Sequence, residues 1–213
     1  MSFPRQYRRT LTERASSAGD DARARILAIA FDMMAEKGYR GTSIAQVAAR
    51  AGISQSGLLH HFPSKQALLI AVIDHRQQVD SRNLEGSDGR PLLGWAAFDA
   101  LTELVRTNSG RPQVVRMFAT LSAEALDPDH PAHAWIQEHY TNGEQTLADA
   151  IRAGIADGTM HPDMPPATIA HLTVAIMDGL QLQWLAGEGS LDMAAEFEAY
   201  VNHLRLTWEI EQD

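Results

Sequence analysis

The sequence predicts an all-α protein in which a small three-helix head precedes a larger helical body. Apolar residues recur at intervals of three and four along most of the chain, and clusters of Gly, Pro, Asp and Ser separate these periodic segments. No segment has the pattern of a strand. The 213 residues, of which 45% are hydrophobic, suffice for one domain or for a small domain joined to a larger one.

Composition excludes several classes of protein. The chain has no cysteine, which excludes a disulfide framework, a cysteine zinc site and a thiol nucleophile. Its longest apolar run, at residues 67–73, is too short to cross a membrane. The first residues lack the apolar stretch of a secretion signal. We therefore expect a cytoplasmic protein without a membrane partner.

Charge is divided unequally along the chain. Residues 1–65 carry a net charge of +5 and contain both lysines, whereas residues 66–213 carry a net charge of −14. A basic end on an acidic body indicates that one end meets a polyanion and the other does not. Chance and a solvated arginine-rich tail would produce the same distribution, so charge alone leaves both explanations open.

Helix signals define the head at residues 20–65. The preceding residues 1–19 are polar and arginine-rich, and we predict that they form a flexible basic arm. Asp20 and Asp21 suit the start of the first helix, because a carboxylate stabilises the positive end of a helix dipole. Gly38 suits the end of this helix, because glycine commonly follows the last helical residue.

Two short helices with a glycine turn follow. The second helix starts at Thr42 or Ser43 and stops at Gly52, and the third, capped by Ser54, ends near His61. A turn of three or four residues with a glycine between short helices is the layout of a helix-turn-helix. Glycine suits this turn because the turn needs a positive φ, which is costly for a residue with a Cβ.

A set of residues in this head keeps an ordered spacing over residues 24–69. In chain order these are Arg25-Ile26-Leu27, Ala30, Gly38-Tyr39, Thr42-Ser43-Ile44, Val47-Ala48, Ala51-Gly52-Ile53-Ser54, Leu58, His61-Phe62-Pro63-Ser64-Lys65 and Leu68-Leu69. Together they resemble the DNA-binding domain of the tetracycline-repressor (TetR-type) family. The sequence departs from the family at Leu59, where a tyrosine near the DNA backbone is usual. The resemblance implies a DNA-binding head and, at residues 66–213, an effector-binding and dimerisation body.

A helix-turn-helix reads DNA with the first residues of its third helix, which enters the major groove. Gln55 can bond bidentately to adenine, Ser56 can donate or accept one hydrogen bond, and Gly57 permits close approach of the backbone. The resemblance implies that other residues hold phosphates. The predicted DNA-binding residues are Tyr39, Thr42, His61 and Lys65 for phosphates, together with Ser54, Gln55, Ser56, Gly57, Leu59 and His60.

Several of these residues have an alternative explanation. Gln55 and His60 can be solvated helix residues, and Tyr39 can simply cover the core. The four arginines of the arm can reach a minor groove, as in homeodomain arms, or stay in solvent, and nothing in the sequence fixes their position.

Six further helices are predicted for the body and its connection to the head. A fourth helix from Lys65 to about Arg82 joins the two parts. The remaining helices cover approximately residues 92–107, 112–126, 132–156, 167–186 and 192–210. The last two helices carry wide apolar stripes, which a four-helix bundle across a two-fold axis would bury. The alternative is that both stripes face only the core of one protomer.

The resemblance also implies that the protein is a homodimer held by these last two helices. The predicted dimer-interface residues are Ile169, Leu172, Ile176, Leu180, Trp184, Phe197, Tyr200, Val201, Leu204 and Trp208. A ligand pocket among the fifth to eighth helices is implied by the resemblance alone. The predicted pocket residues, which suit an apolar or aromatic molecule, are Trp95, Phe98, Asp99, Met117, Phe118, Trp135, His139, Tyr140, Met177 and Gln181.

The sequence leaves two alternatives to this interpretation, a metal site and the active site of an enzyme. A metal site is conceivable where His130, His133 and His139 lie near Asp127 and Asp129, but their spacing matches no strong zinc pattern. An enzyme is the other alternative, and no hydrolase, metalloprotease, phosphate-loop or dinucleotide motif occurs. We expect no cofactor, no metal and no catalytic residue.

The sequence therefore predicts a TetR-type regulator of transcription with three partners, namely an operator in double-stranded DNA, a small effector and a second copy of the chain. A repressor is favoured, and an activator or an effector-independent protein is the alternative. The effector would select a body conformation that holds the two heads too far apart for adjacent grooves, with the fourth helix carrying the motion. A hundredfold loss of DNA affinity requires about 2.7 kcal/mol of coupling.

Overall fold

A computed structural model describes the backbone of residues 5–81, 85–86 and 89–210; the side chains of residues 5–20, 80 and 81 lie outside this description. Within the described ranges the chain is all-α, as predicted, and its elements beyond the helices are isolated bridges between Glu85 and Pro91 and between Met160 and Glu209. The helices are α1 (Arg5–Gly41), α2 (Ile44–Ala51), α3 (Gln55–His61), α4 (Lys65–Ser81), α5 (Trp95–Ser109), α6 (Pro112–Glu124), α7 (His133–Ala156), α8 (Pro166–Ala186) and α9 (Met193–Trp208).

The first helix differs from the prediction at its start. It begins at Arg5, not at Asp20, so most of the predicted arm has a helical backbone. The segment from Arg5 to Ala18 contains no Pro or Gly and several strong helix formers, which explains why the helix extends through it. The long continuous part of the helix stops where predicted, because Gly38 leaves helical geometry with φ 70° and ψ 173°, and a short piece after this kink carries the element to Gly41. The role of the arm's arginines on DNA stays a prediction.

The chain divides into two compact units, residues 1–74 and 75–213. The first unit extends beyond residue 65, where the sequence analysis ended the head, because the first half of α4 buries Leu68, Leu69 and Ile73 completely or nearly so. The helix α4 therefore belongs to both units.

The head is a three-helix core closed by a tight turn. Ile26, Ala30 and Val47 are fully buried, as expected for the core-facing positions of α1 and α2. Gly52 ends α2 with φ 70° and ψ 30°, which confirms the predicted left-handed turn. The backbone N–H of Ile53 then donates to the Ala48 carbonyl at 3.1 Å, a bond that fixes the turn leading to α3.

The core of the body forms among α5, α7, α8 and α9, around the fully buried Phe98, Ile151 and Phe197. One close approach requires glycine, because a Cβ at Gly154 would lie 2.7 Å from the Met160 sulfur. The helix α5 starts at Trp95, three residues later than predicted. In the described ranges, no helix is both long enough and apolar enough to cross a membrane.

Candidate DNA-binding surface and effector site

The start of α3 is organised by its N-cap, Ser54. The Ser54 hydroxyl accepts a hydrogen bond from the Gly57 backbone N–H at 3.0 Å and lies 3.0 Å from the Ser56 hydroxyl. A Cβ at position 57 would lie 3.2 Å from the Ser54 oxygen, so the cap favours glycine there. Since its hydroxyl is engaged by the helix, Ser54 acts as a positioning residue that fixes the first turn of α3.

The outer face of α3 brings together most of the residues predicted to read bases. Gln55, Ser56 and His60 are exposed, while Leu58 is fully buried and anchors the helix on the core. These three exposed side chains therefore extend from a short helix whose position is set by Leu58 and by its cap. The half-buried residues of the helix are Gly57, Leu59 and His61.

Lys65 and Tyr39 form a basic corner beside this helix-turn-helix. The ammonium nitrogen of Lys65 lies 4.2 Å from the centroid of the Tyr39 ring and donates to the Arg40 carbonyl at 3.4 Å. Burial raises the pKa of the Tyr39 phenol, so this group is a neutral hydrogen-bond donor at pH 7. Lys65 is the first residue of α4, whose start Ser64 caps by accepting from the Ala67 N–H at 3.0 Å.

Thr42 differs from its predicted role as a phosphate contact. Its side chain is only 2% exposed, and its hydroxyl donates to the carbonyl of Gly38 at 2.9 Å. The prediction for this side chain is not supported, because the hydroxyl is used inside the head to fix the turn after α1. Its neighbour Ser43 is the exposed N-cap of α2, where it forms a reciprocal capping box with Gln46. Ser43 was not among the predicted site residues, although the Ser43–Gln46 spacing signals an exposed helix start.

The residues predicted for the ligand pocket separate into two groups. The first group lies on α5, where Trp95 and Phe98 belong to the core shared with α9. The indole N–H of Trp95 donates to the Thr159 carbonyl at 3.2 Å. Asp99, which was predicted as a pocket residue, is exposed and pairs with Arg205 at 2.6 Å.

The second group is an aromatic cluster of half-buried rings on α6 and α7, formed by Phe118, Trp135, His139 and Tyr140. The rings of Trp135 and His139 stack with centroids 4.9 Å apart and an interplanar angle of 11°. Phe118 stacks on His139 at 5.8 Å, and Tyr140 meets His139 edge-on at 5.9 Å. The remaining predicted pocket residues are the buried Met117 on α6 and the half-buried Met177 and Gln181 on α8.

A carboxylate that the sequence analysis missed adjoins this aromatic cluster. Asp178, half-buried on α8, accepts a hydrogen bond from the Tyr140 hydroxyl at 2.7 Å, and the same hydroxyl lies 3.5 Å from the Ser122 oxygen. Burial raises the pKa of Asp178 and of Tyr140. The available signal was an acidic residue in the middle of the largely apolar segment Ala175–Leu182, where burial of a carboxylate costs free energy unless it is hydrogen-bonded or paired.

The predicted dimer residues also divide between the core and the surface. Ile169, Trp184, Phe197, Val201 and Leu204 are buried within one protomer. They do not form an outer face, because these positions pack against α5 and α7 in the body core. Tyr200 bonds to the Thr173 hydroxyl at 2.8 Å, and Trp208 packs on His161. The large exposed apolar side chains on the two helices are Leu172 (47%), Leu182 (58%) and Leu206 (89%).

The histidines considered as metal ligands have other contacts. His130 is buried, and its Nδ1 accepts a hydrogen bond from the Ala132 N–H at 3.2 Å. The Nδ1 of His133 lies 2.7 Å from the Ala125 carbonyl oxygen. His139 belongs to the aromatic cluster. Among the residues that the structure describes, no group of three acidic or histidine side chains is placed to hold a metal ion.

These features define a helix-turn-helix protein with a separate helical body, a class that regulates transcription. The sequence pattern of the bacterial regulatory proteins of the tetR family matches residues 26–72, and that of the tetracyclin repressor-like C-terminal domain matches residues 122–192. The HTH-type transcriptional regulator RutR from Escherichia coli (strain K12) is 42% identical over 196 residues, which cover 88% of this chain and 82% of the relative. The chain belongs to the tetR family and is a DNA-binding transcriptional regulator.

Solved structures show the same fold. A TetR transcriptional regulator from Chloroflexus aurantiacus has a TM-score of 0.74 at 22% identity, covering 92% of this chain and 100% of that chain. The regulator FadR from Bacillus subtilis, solved in complex with stearoyl-CoA, has a TM-score of 0.71 at 16% identity, covering 85% of this chain and 96% of that chain. Regulators of this family bind DNA, dimerise and bind small-molecule effectors.

Proposed function

We propose that this protein is a cytoplasmic repressor that binds a palindromic operator as a homodimer and leaves it when a small molecule binds the body. It acts by binding rather than by catalysis. The observation that carries the proposal is the exposed face of α3, where Gln55, Ser56 and His60 extend from a helix anchored by the buried Leu58.

The chemistry of this face suits base recognition. The Gln55 side chain carries a carbonyl acceptor and an amide donor. These two groups complement the N6 amino donor and the N7 acceptor that adenine presents in the major groove. The hydroxyl of Ser54 accepts from a backbone N–H, so its own proton can be donated to Ser56. In that arrangement the Ser56 proton is available for an acceptor on DNA, such as N7 of a purine.

The surroundings of α3 suit phosphates. Lys65 is held near Tyr39, and each supplies a donor of the kind that binds phosphate oxygens. The exposed Ser43 at the N-terminus of α2 adds a third candidate. The net charge of +5 on residues 1–65 supplies sequence-independent affinity through release of counterions.

The exposed leucines on α8 and α9 support dimerisation. Leu172, Leu182 and Leu206 would leave large apolar surfaces in water if the chain stayed a monomer. A Cβ on Gly179 would meet nothing within 4 Å, so the middle of α8 leaves room for close approach of a second helix. Two copies related by a two-fold axis would read two half-sites about 34–36 Å apart.

Selection of bound duplexes from random DNA tests this function. The protein should enrich an inverted repeat whose half-site centres are separated by about one helical turn or a multiple of it. The double substitution Q55A/H60A should abolish the enrichment, whereas Gln113→Ala, which alters an exposed glutamine on α6, should leave it unchanged. Failure of the unsubstituted protein to enrich any sequence at low salt would exclude an operator-binding function.

A further inference from the structure

We propose that the aromatic cluster and Asp178 form a site for an organic cation, a ligand that carries a substituted ammonium group. The inference rests on the proposed function, in which the body binds a small effector, and it adds the charge class of that effector. It departs from the sequence analysis, which expected a largely apolar molecule.

The first support is the unused binding capacity of the Asp178 carboxylate. Its described hydrogen bond comes from the neutral Tyr140 hydroxyl, whereas an ionised carboxylate can accept about four. In the described part of the chain, no lysine or arginine forms an ion pair with it, and the charge acting on it comes from His139. Burial disfavours the ionised form of this group, and a bound cation would compensate for that cost.

The second support is the aromatic cluster itself. The faces of Trp, Tyr and Phe rings carry partial negative charge, so cations bind favourably over them, most strongly over Trp. The four rings are half-buried and come from two helices, α6 and α7, while Asp178 comes from a third, α8. A ligand that contacted the rings and the carboxylate would thus contact three helices of the body, through which binding can alter helix packing.

The third support is the charge of the body. Residues 66–213 carry a net charge of −14, which attracts cations and repels anions. The carboxylate of Asp178 beside the aromatic cluster is negative when ionised, like the net charge of the body. The net charge of the body, the Asp178 carboxylate and the ring faces therefore favour the same ligand charge.

Three ligands that contain the same aromatic ring but differ in charge test the proposal. Benzylammonium, benzyl alcohol and benzoate share a benzyl or phenyl group and differ in charge at pH 7.5. We expect the full-length protein, at matched ionic strength, to bind benzylammonium at least ten times more tightly than benzyl alcohol, and benzoate least tightly, as measured by calorimetry and by thermal shift.

Two matched variants locate the origin of this preference. Asp178→Asn keeps the shape of the side chain and should reduce the preference for benzylammonium over benzyl alcohol to less than threefold. Asp149→Asn removes the same charge from an exposed position on α7 and should preserve the preference. Melting curves without ligand establish that each variant is folded; if Asp178→Asn does not fold, binding of the three ligands by the unsubstituted protein decides.

Equal or tighter binding of benzyl alcohol or benzoate would overturn the proposal. Absence of benzylammonium binding at a ligand concentration on the order of 20 mM, which is near the weakest measurable affinity, would also overturn it. Retention of the preference in Asp178→Asn would also overturn it. The proposed regulatory function is judged separately by the enrichment of an operator. A protein that enriches an operator but does not discriminate in favour of benzylammonium keeps the function and loses this inference.

Discussion

The free-energy cost of Asp178 is testable at the scale of one residue. Burial raises the pKa of this carboxyl, so the folded protein holds its proton more tightly than the unfolded chain does. The carboxyl therefore contributes its full stability below the pKa that it has in the unfolded chain. This contribution is lost as the pH rises through the pKa that it has in the folded protein. Asp178→Asn, which retains an acceptor for Tyr140, should therefore be more stable than the unsubstituted protein at pH 7, and each ~1 kcal/mol gained would raise Tm by about 2–4 °C.

Thermal melts of both proteins at pH 7 and near pH 4 check this prediction. The stability difference should shrink at the lower pH, because the native carboxyl is then increasingly protonated. Exposed Asp149→Asn provides the comparison for removal of a surface charge. A variant that is less stable than the native protein at pH 7 would contradict the assignment of a net cost to Asp178.

Gln55 should contribute more to specific than to non-specific DNA binding. Its bidentate contact with a base would be lost in Gln55→Ala, at a cost of about 1–3 kcal/mol for the operator and little for random DNA. Fluorescence anisotropy with both duplexes measures the two affinities, and Gln113→Ala is the control. Equal losses on both duplexes would remove Gln55 from the base-reading residues.

Lys65 should contribute to affinity through charge. In Lys65→Ala the slope of log K against log salt concentration should fall by about one unit, because one counterion fewer is released. The other lysine of the chain, Lys37, is exposed on α1 and is not among the predicted contacts, so Lys37→Ala is the matched control. An unchanged slope in Lys65→Ala would show that this residue does not contact a phosphate.

The turn between α2 and α3 is testable at the scale of elements. Gly52 has φ 70°, and a Cβ there would touch nothing within 4 Å, so the penalty of Gly52→Ala comes from the backbone alone. The left-handed conformation costs about 1–2 kcal/mol for a residue with a Cβ. We expect a corresponding loss of unfolding free energy together with weaker operator binding, because the direction of α3 depends on this turn.

Gly143→Ala supplies the opposite case. Gly143 lies in the interior of α7, and a Cβ added at this position would also meet nothing within 4 Å. Alanine should therefore stabilise the protein by up to about 1 kcal/mol, since it favours the helix. Chemical denaturation of both variants measures the pair. Stabilisation by Gly52→Ala would show that the turn does not require a left-handed residue.

Dimerisation is testable at the scale of the whole molecule. Leu206, the most exposed leucine of α9 at 89%, should become buried in the dimer, so Leu206→Glu should produce monomers and weaken operator binding. Leu126 is 79% exposed but lies between α6 and α7, not on α8 or α9. Leu126→Glu should therefore leave the dimer intact. Light scattering measures the mass. A dimer that persists in Leu206→Glu would exclude this face of α9 as the interface.

The sequence predicted local features well because their causes are local. The N-cap at Ser54, the positive φ of Gly52 and the break in α1 at Gly38 each depend on a few neighbouring residues. The start of α1 was predicted incorrectly because Asp20 and Asp21 resemble a helix start, although the preceding residues also favour a helix. Such signals rank possible boundaries but do not exclude a longer helix.

The sequence by itself determined the all-α class, the helix-turn-helix and the membership of the tetR family, because periodicity, caps and motif spacing are properties of contiguous residues. Only the tertiary structure decided which apolar residues of α8 and α9 are core and which are surface, that Thr42 is used internally, and that Asp178 meets Tyr140. Those outcomes depend on which helix faces meet. Side chains that are 38 residues apart in the chain become neighbours only through packing, which no local pattern records.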